Sequence, residues 1–347
     1  MGATLTARMR TQTALVLGII GGLVIIGLAA LVIGMARPGQ TAIATATLGS
    51  TLTGPASTPT AGASATGSGA PGPSTAPSST AVGSVTLIAA GDITSCAVTS
   101  DSATAMLVES IPGTVAALGD DAYDTGSARE YRDCYDPTWG AFLDRTRPVP
   151  GNHEYLTSGA AGYFDYFGLR AGNPKGGYYA YDLGAWRLYA LNSNCADIGG
   201  CGPGSAEVVW LKADLAAHPT QCVLAYWHHP RFSSGEHGSN AFVAGLWDTL
   251  DAAGAEIVLN GHDHDYERFA PMAADGGVDS ANGIVEFVVG TGGRSHYPFN
   301  TILATSRVHD NTTFGVLDIT LSPGGWSSRF VPVAGKTFTD TASGTCH

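Results

Sequence analysis

Five short runs of metal-binding residue types recur along the chain, each where an apolar stretch stops. They are Gly91-Asp92, Gly119-Asp120-Asp121-Ala122-Tyr123, Gly151-Asn152-His153-Glu154, His228-His229-Pro230 and Gly261-His262-Asp263-His264. Asp, Asn, Tyr and His together suit hard to borderline cations such as iron, zinc and manganese. A pair of such ions needs a carboxylate bridging roughly 3.5–4 Å, histidines on each ion, and open positions for water and an anionic oxygen. Asp92, Asp120, Asn152, His228, His262 and His264 make such a set. Alone, each fragment is weak. A Gly-Asp after a strand is most often a turn, and two histidines two apart could share one side of a strand. Five fragments in order, each ending an apolar run, are hard to obtain by chance.

The order and wording of these runs resemble the calcineurin-like metallophosphoesterase superfamily and, within it, the purple acid phosphatases. The resemblance covers Val85 to about Gly293. The first block of the wider superfamily commonly reads Asp-x-His, whereas here it reads Asp92-Ile93-Thr94. Tyr123 stands in for the missing histidine, as in the purple acid phosphatase branch. The resemblance implies that Asp92, Tyr123 and His264 bind one ion, that Asn152, His228 and His262 bind the other, and that Asp120 bridges. A tyrosinate, with a free pKa of about 10, needs a strongly charged partner. The implied cofactors are therefore Fe(III) plus a divalent ion, Zn, Mn or Fe. His153 and His237 resemble the family's substrate-side histidines, one bonding the phosphate and one protonating the leaving alkoxide. His229 reads as a supporting residue because adjacent side chains in an extended segment point apart. Glu154 reads as structural and His296 as a residue of the rim. Gly290-Thr291-Gly292-Gly293 lacks the spacing of a dinucleotide loop and is expected to let backbone approach the metal loops.

The elements that would carry these residues follow from periodicity. Val85–Ala90, Thr114–Leu118, Cys222–Trp227, Glu256–Leu259 and Ile284–Val289 read as buried strands. Tyr178–Asp182 and Trp186–Leu191 read as a hairpin around Leu183-Gly184-Ala185, and Phe314–Leu321 with Trp326–Val333 alternate like antiparallel strands. Helices are expected over Ser102–Ile111, Ala128–Tyr135, Gly162–Phe167, Ser205–Ala217 and Ala241–Ala252. The fold class is α/β: two mixed sheets packed together and flanked by helices, the α/β/β/α sandwich of the superfamily.

Ahead of this domain, at 85–347, the chain changes character. Residues 14–36 carry no polar or charged side chain, long enough to span a hydrocarbon core of about 30 Å. Arg8 and Arg10 precede them and only Arg37 follows closely, so 1–13 is expected inside and the rest outside the membrane. A cleaved signal and a secreted product are the alternative, but signal cores are usually about 7–15 residues. Residues 37–84 are Ala, Thr, Ser, Gly and Pro with almost nothing else, a composition expected to stay a disordered linker. Arg8, Arg10 and Arg37 are the only charged residues before Asp92, so the other 14 of 17 basic residues sit among all 29 acidic ones. That balance argues against a nucleic-acid-binding surface. Six cysteines lie on the expected outer side, where disulfides persist. Cys195 and Cys201 bracket a short loop and are expected to pair. The rest are left open, with Cys96–Cys134 and Cys222–Cys346 as the favoured arrangement.

The function expected from this reading is hydrolysis of a small phosphomonoester, water activated at the ions attacking in line, by an enzyme held outside the cell membrane. A phosphodiesterase or nucleotidase on the same scaffold is the nearest rival. A sensor for phosphate compounds, or a non-catalytic surface protein whose metals only stabilise it, is a rival of another class.

Overall fold

A computed structural model describes residues 83–219 and 222–347. The expected membrane span at 14–36, the segment before it and the linker up to residue 82 lie outside the described residues. Among the described residues no helix is long and apolar enough to cross a membrane.

The strands in chain order are β1 (Val85–Ala90), β2 (Thr94–Ser95), β3 (Thr114–Ala117), β4 (Ala122–Tyr123), β5 (Thr146–Pro148), β6 (Tyr179–Leu183), β7 (Trp186–Ala190) and β8 (Val223–Tyr226). They continue with β9 (Ile257–Asn260), β10 (Tyr266–Phe269), β11 (Val285–Val289), β12 (Ser306–Asp310), β13 (Gly315–Ser322), β14 (Gly325–Pro332) and β15 (Thr341–Thr345). One sheet runs β15-β14-β13-β1-β3-β5 and another β12-β10-β11-β9-β8-β7-β6, while β2 and β4 form a small pair. Within the large sheets β1, β3 and β5 are parallel, as are β7, β8, β9 and β11. Their carboxyl ends therefore lie together, which is where α/β sheets bind ligands.

The parallel strands are apolar on both faces because both faces are covered. On β8, Leu224 and Tyr226 pack in the core shared with Leu87, Ala89 and Phe330 of the other sheet. Val223 and Ala225 point the other way, into a second core. That second core is closed by Val208 and Leu211 of one helix and Leu246, Trp247 and Leu250 of another. Of the helices, α1 is Ser100–Ser110, α2 Ala128–Glu130, α3 Ala161–Phe167, α4 Cys195–Ile198, α5 Ala206–Ala217 and α6 Ala244–Asp251. The outer face of the first sheet is met by α1, whose Ala105 and Val108 join the inter-sheet core's cluster. Two mixed sheets between helical layers are what the sequence pattern predicts.

The differences are local. The helix expected over Ala128–Tyr135 is one α-turn capped by the Ser127–Glu130 capping box, followed by a wider π-turn at Tyr131–Tyr135. The wider turn buries Tyr131, Cys134 and Tyr135 together. Strands β2, β4, β5, β10, β12 and β15 are not among those the sequence predicts. All six cysteines pair, as Cys96–Cys134, Cys195–Cys201 and Cys222–Cys346.

Candidate metal centre

Side chains just beyond five of the parallel strands meet at a common point. Asp92 follows β1, Asp120 follows β3, Asn152 follows β5, His228 follows β8, and His262 and His264 follow β9. Asp92, Asp120 and His262 have left-handed backbone, with φ of 58°, 51° and 74°. Only four non-glycine residues among those described do so, and three of them are here. Such conformations cost of order 1–3 kcal/mol each and persist where surrounding structure imposes them. They turn each side chain sharply off its strand into the centre.

The first ion's expected ligands meet closely. Tyr123 Oη donates to Asp92 Oδ1 at 2.8 Å and lies 3.1 Å from His264 Nε2. His264 Nε2 is 3.3 Å from Asp92 Oδ1. On the other side, His228 Nε2 lies 3.2 Å from Asn152 Oδ1, and the His262 ring is centred 5.0 Å from that of His228. Asp120 Oδ2 joins the halves, 2.9 Å from Tyr123 Oη and 3.4 Å from His228 Nε2. All seven expected ligands are therefore brought together.

The donor set fits cations. Asp92 and Asp120 are buried, and among the described residues no lysine or arginine pairs with either. One ligand atom each from Asp92, Asp120 and His228 falls within 4.8 Å of the others. Burial pulls the His228 imidazole down, but the Asp120 carboxylate more than offsets it and holds it at about 10. Burial, then the Asp120 and Asp92 carboxylates, push the Tyr123 hydroxyl well above its usual range. A site that makes imidazole basic and phenolate costly is one that lacks positive charge, which metal ions supply.

The ligands are oriented from behind. Leu118 O lies 2.9 Å from His228 Nδ1, and Ser295 Oγ 2.7 Å from His264 Nδ1. These partners fix ring orientation and tautomer. Glu154 accepts four backbone N–H groups, of Asp120, Asp121, Ala122 and Gly151, and the Tyr131 hydroxyl. Burial and the neighbouring Asp120 carboxylate raise Glu154 to about 7 despite those donors. A Cβ on Gly151 would overlap the Asp120 carboxylate, and one on Gly290 the Asp263 carbonyl, so the glycines permit the close approach. The Gly290–Gly293 run thus acts as expected. Ser295 had no distinguishing signal in the sequence.

Both expected substrate-side histidines border the cage. His153 Nδ1 donates to the Asp124 carbonyl at 2.6 Å, leaving Nε2 facing Asp120 Oδ2 at 3.8 Å. His237 stacks on His262 with ring centroids 4.4 Å apart, and its N–H donates to Asp263 Oδ1. Its side chain is exposed. His229 is buried against Ser193, and burial, then His228, lowers it to about 3. His296 stacks on Phe314, packed beside the site.

Residues 86–266, more than half of the chain, match the family model described as calcineurin-like phosphoesterase. The chain belongs to that family. Purple acid phosphatase 15 of Arabidopsis thaliana is 28% identical over 149 residues, 38% of this chain and 27% of that protein. An uncharacterized protein of Mycobacterium tuberculosis is 27% identical over 212 residues, 48% of this chain and 40% of that protein. The chain thus spans well under half the length of these curated relatives. Among solved structures, purple acid phosphatase PPD1 from yellow lupin seeds superposes with a TM-score of 0.61 at 18% identity, covering 75% of this chain and 53% of that one. GAP50, described as the anchor in the inner membrane complex of Plasmodium, superposes at 0.59 with 14% identity, covering 76% and 90%. At these identities the structural likeness speaks for the fold.

Proposed function

We propose that residues 85–347 are a dinuclear metal-dependent phosphomonoesterase, carried outside the membrane by the apolar segment at 14–36 and the linker at 37–84. Asp92, Tyr123 and His264 would hold one ion, Asn152, His228 and His262 the other, and Asp120 would bridge. A pair of ions in such a cage supplies an acidified water and neutralises charge on phosphoryl oxygens. The tyrosine ligand favours Fe(III) at the first position, with Zn, Mn or Fe at the second. His153, at Nε2, and His237 face the cage and would bond the phosphate and deliver a proton to the leaving oxygen. The three disulfides support an oxidising compartment.

One observation carries the reading: Asp120 Oδ2 is shared between Tyr123 Oη and His228 Nε2, as a bridging ligand requires. The test is metal content, visible absorption and turnover of the purified chain on an aryl phosphomonoester and the matching diester. Two metal ions per chain, a tyrosinate-to-iron band and faster monoester cleavage are expected. Faster diester cleavage would move the assignment to the phosphodiesterases. Two bound ions without turnover of either ester would leave a binding protein.

A further inference from the structure

Beside the cage, a cleft of about 340 Å³ opens from Asn152 and runs past Asn194, Asp197, His229 and Phe242. Another cavity, about 490 Å³, lies between α5 and α6 and is lined by none of the cage residues. A third, of about 450 Å³, meets the cage only at Tyr123. Arg294 sits over that ring, 5.0 Å from its centroid, and pairs with Asp124 at 3.1 Å. The cleft at Asn152 therefore opens on the second ion's side.

Its polar groups are fixed before anything binds. Asn194 Nδ2 donates to Pro150 O at 3.0 Å and to Asn192 Oδ1 at 2.9 Å. Flipping the amide would set oxygen against both, so its orientation is determined. Asn194 Oδ1 then has no partner among the described residues and stands as an acceptor. Ser193 Oγ accepts the His229 backbone N–H at 3.0 Å and lies 2.8 Å from His229 Nδ1. With no other acceptor in reach among the described residues, the hydroxyl donates to Nδ1, which leaves Nε2–H as a donor. Phe242, 49% exposed, packs its ring against His229 at 5.4 Å and forms an apolar wall. Asp197 is the one charged side chain lining the cleft, and no lysine or arginine lines it.

Resting on the phosphomonoesterase reading, we infer that this cleft holds the organic part of the substrate and selects an uncharged group with a flat ring and hydroxyl or amino functions, such as a nucleoside or phenol. The ring lies on Phe242, and one donor and one acceptor on the ligand meet Asn194 Oδ1 and His229 Nε2–H. A second phosphate in the same place would face Asp197 with no cation to pair with.

The test compares kcat and KM for an aryl phosphate and a nucleoside 5′-monophosphate with those for pyrophosphate and a hexose bisphosphate, using the metal-loaded chain. Calorimetry of adenosine alone, with and without metal, gives a readout independent of turnover. Uncharged leaving groups should be preferred by about tenfold or more in kcat/KM. Phe242→Ala should raise KM for the ring-bearing esters about tenfold, with kcat little changed and pyrophosphate unaffected. Asp197→Lys, at an exposed position, should narrow the preference about tenfold. Preference for pyrophosphate or the bisphosphate overturns the inference, as does an equal effect of Phe242→Ala on every ester. If no ester is cleaved, the phosphatase reading fails, and adenosine binding decides the cleft. Millimolar or tighter binding that weakens in Phe242→Ala sustains it, and no binding at that level ends it.

Discussion

Glu154 Oε2 accepts the backbone N–H of Asp120 at 2.9 Å, so a buried carboxylate outside the seven expected ligands holds the bridging residue's main chain. The same carboxylate takes the N–H groups of Asp121, Ala122 and Gly151, tying the loops after β3 and β5 together. Replacing it by Gln would turn an NH2 toward donors already pointing at it. Glu154→Gln should weaken metal binding about 10–100-fold, the usual effect of losing an orienting partner. It should also lower stability by about 1–3 kcal/mol for the unpaired buried donors. Metal titration with a competing chelator and denaturant unfolding measure the two effects separately. Unchanged metal affinity would show that the loops hold their shape without this clamp.

Asp120→Asn and His262→Ala should each reduce turnover of an aryl phosphate by several orders of magnitude. Bridging needs a full carboxylate charge shared between ions, and an amide supplies none. His262 is one of three residues expected on the second ion. Rate and metal content are to be measured on the same preparations. Near-normal rates with unchanged metal content would remove both residues from the site.

Tyr123→Phe removes the hydroxyl that bonds Asp92 and Asp120 while keeping the ring packed against His153 at 4.3 Å. The fold should survive, and any visible band in the wild-type protein should vanish with the phenolate. The absorption spectrum of iron-loaded wild type and variant decides it. A band that persists in the variant assigns the colour to another ligand.

Much of this site could be read from residue types because its ligands stop apolar strands. β1, β3, β8 and β9 are short buried runs, and each is followed within three residues by an Asp or His ligand, directly after a glycine at β1, β3 and β9 and in a proline-ended His pair at β8. What stayed hidden is where pattern and burial part company. β10 reads Tyr-Glu-Arg-Phe, yet Glu267 is fully buried because it accepts from the N–H and hydroxyl of Ser234. A buried carboxylate satisfied by a distant serine leaves no periodic trace. β12 and β15 are edge strands alternating with solvent, and their side chains have little core to declare. Ser295 meets His264 and Asn194 meets the Pro150 carbonyl by hydrogen bonds across the fold, which no local spacing encodes.

Glu207 on α5 gives a prediction away from the metals. It is buried, accepts the Asn192 N–H at 2.7 Å, and burial raises it to about 8 from an ordinary 4.5. The folded state therefore holds a proton that the unfolded chain releases near pH 4.5. Stability from this group is complete below about pH 4.5, declines as pH rises, and levels off above about pH 8. Glu207→Gln mimics the protonated form and keeps an oxygen for Asn192. The variant should match wild type near pH 4.5 and gain on it toward pH 8, with a limiting slope of about 1.4 kcal/mol per pH unit. Paired denaturant melts at pH 5, 6.5 and 8 read the difference directly. Parallel stability curves for the two proteins would mean that Glu207 is already ionised in the fold, its charge carried by the single backbone donor.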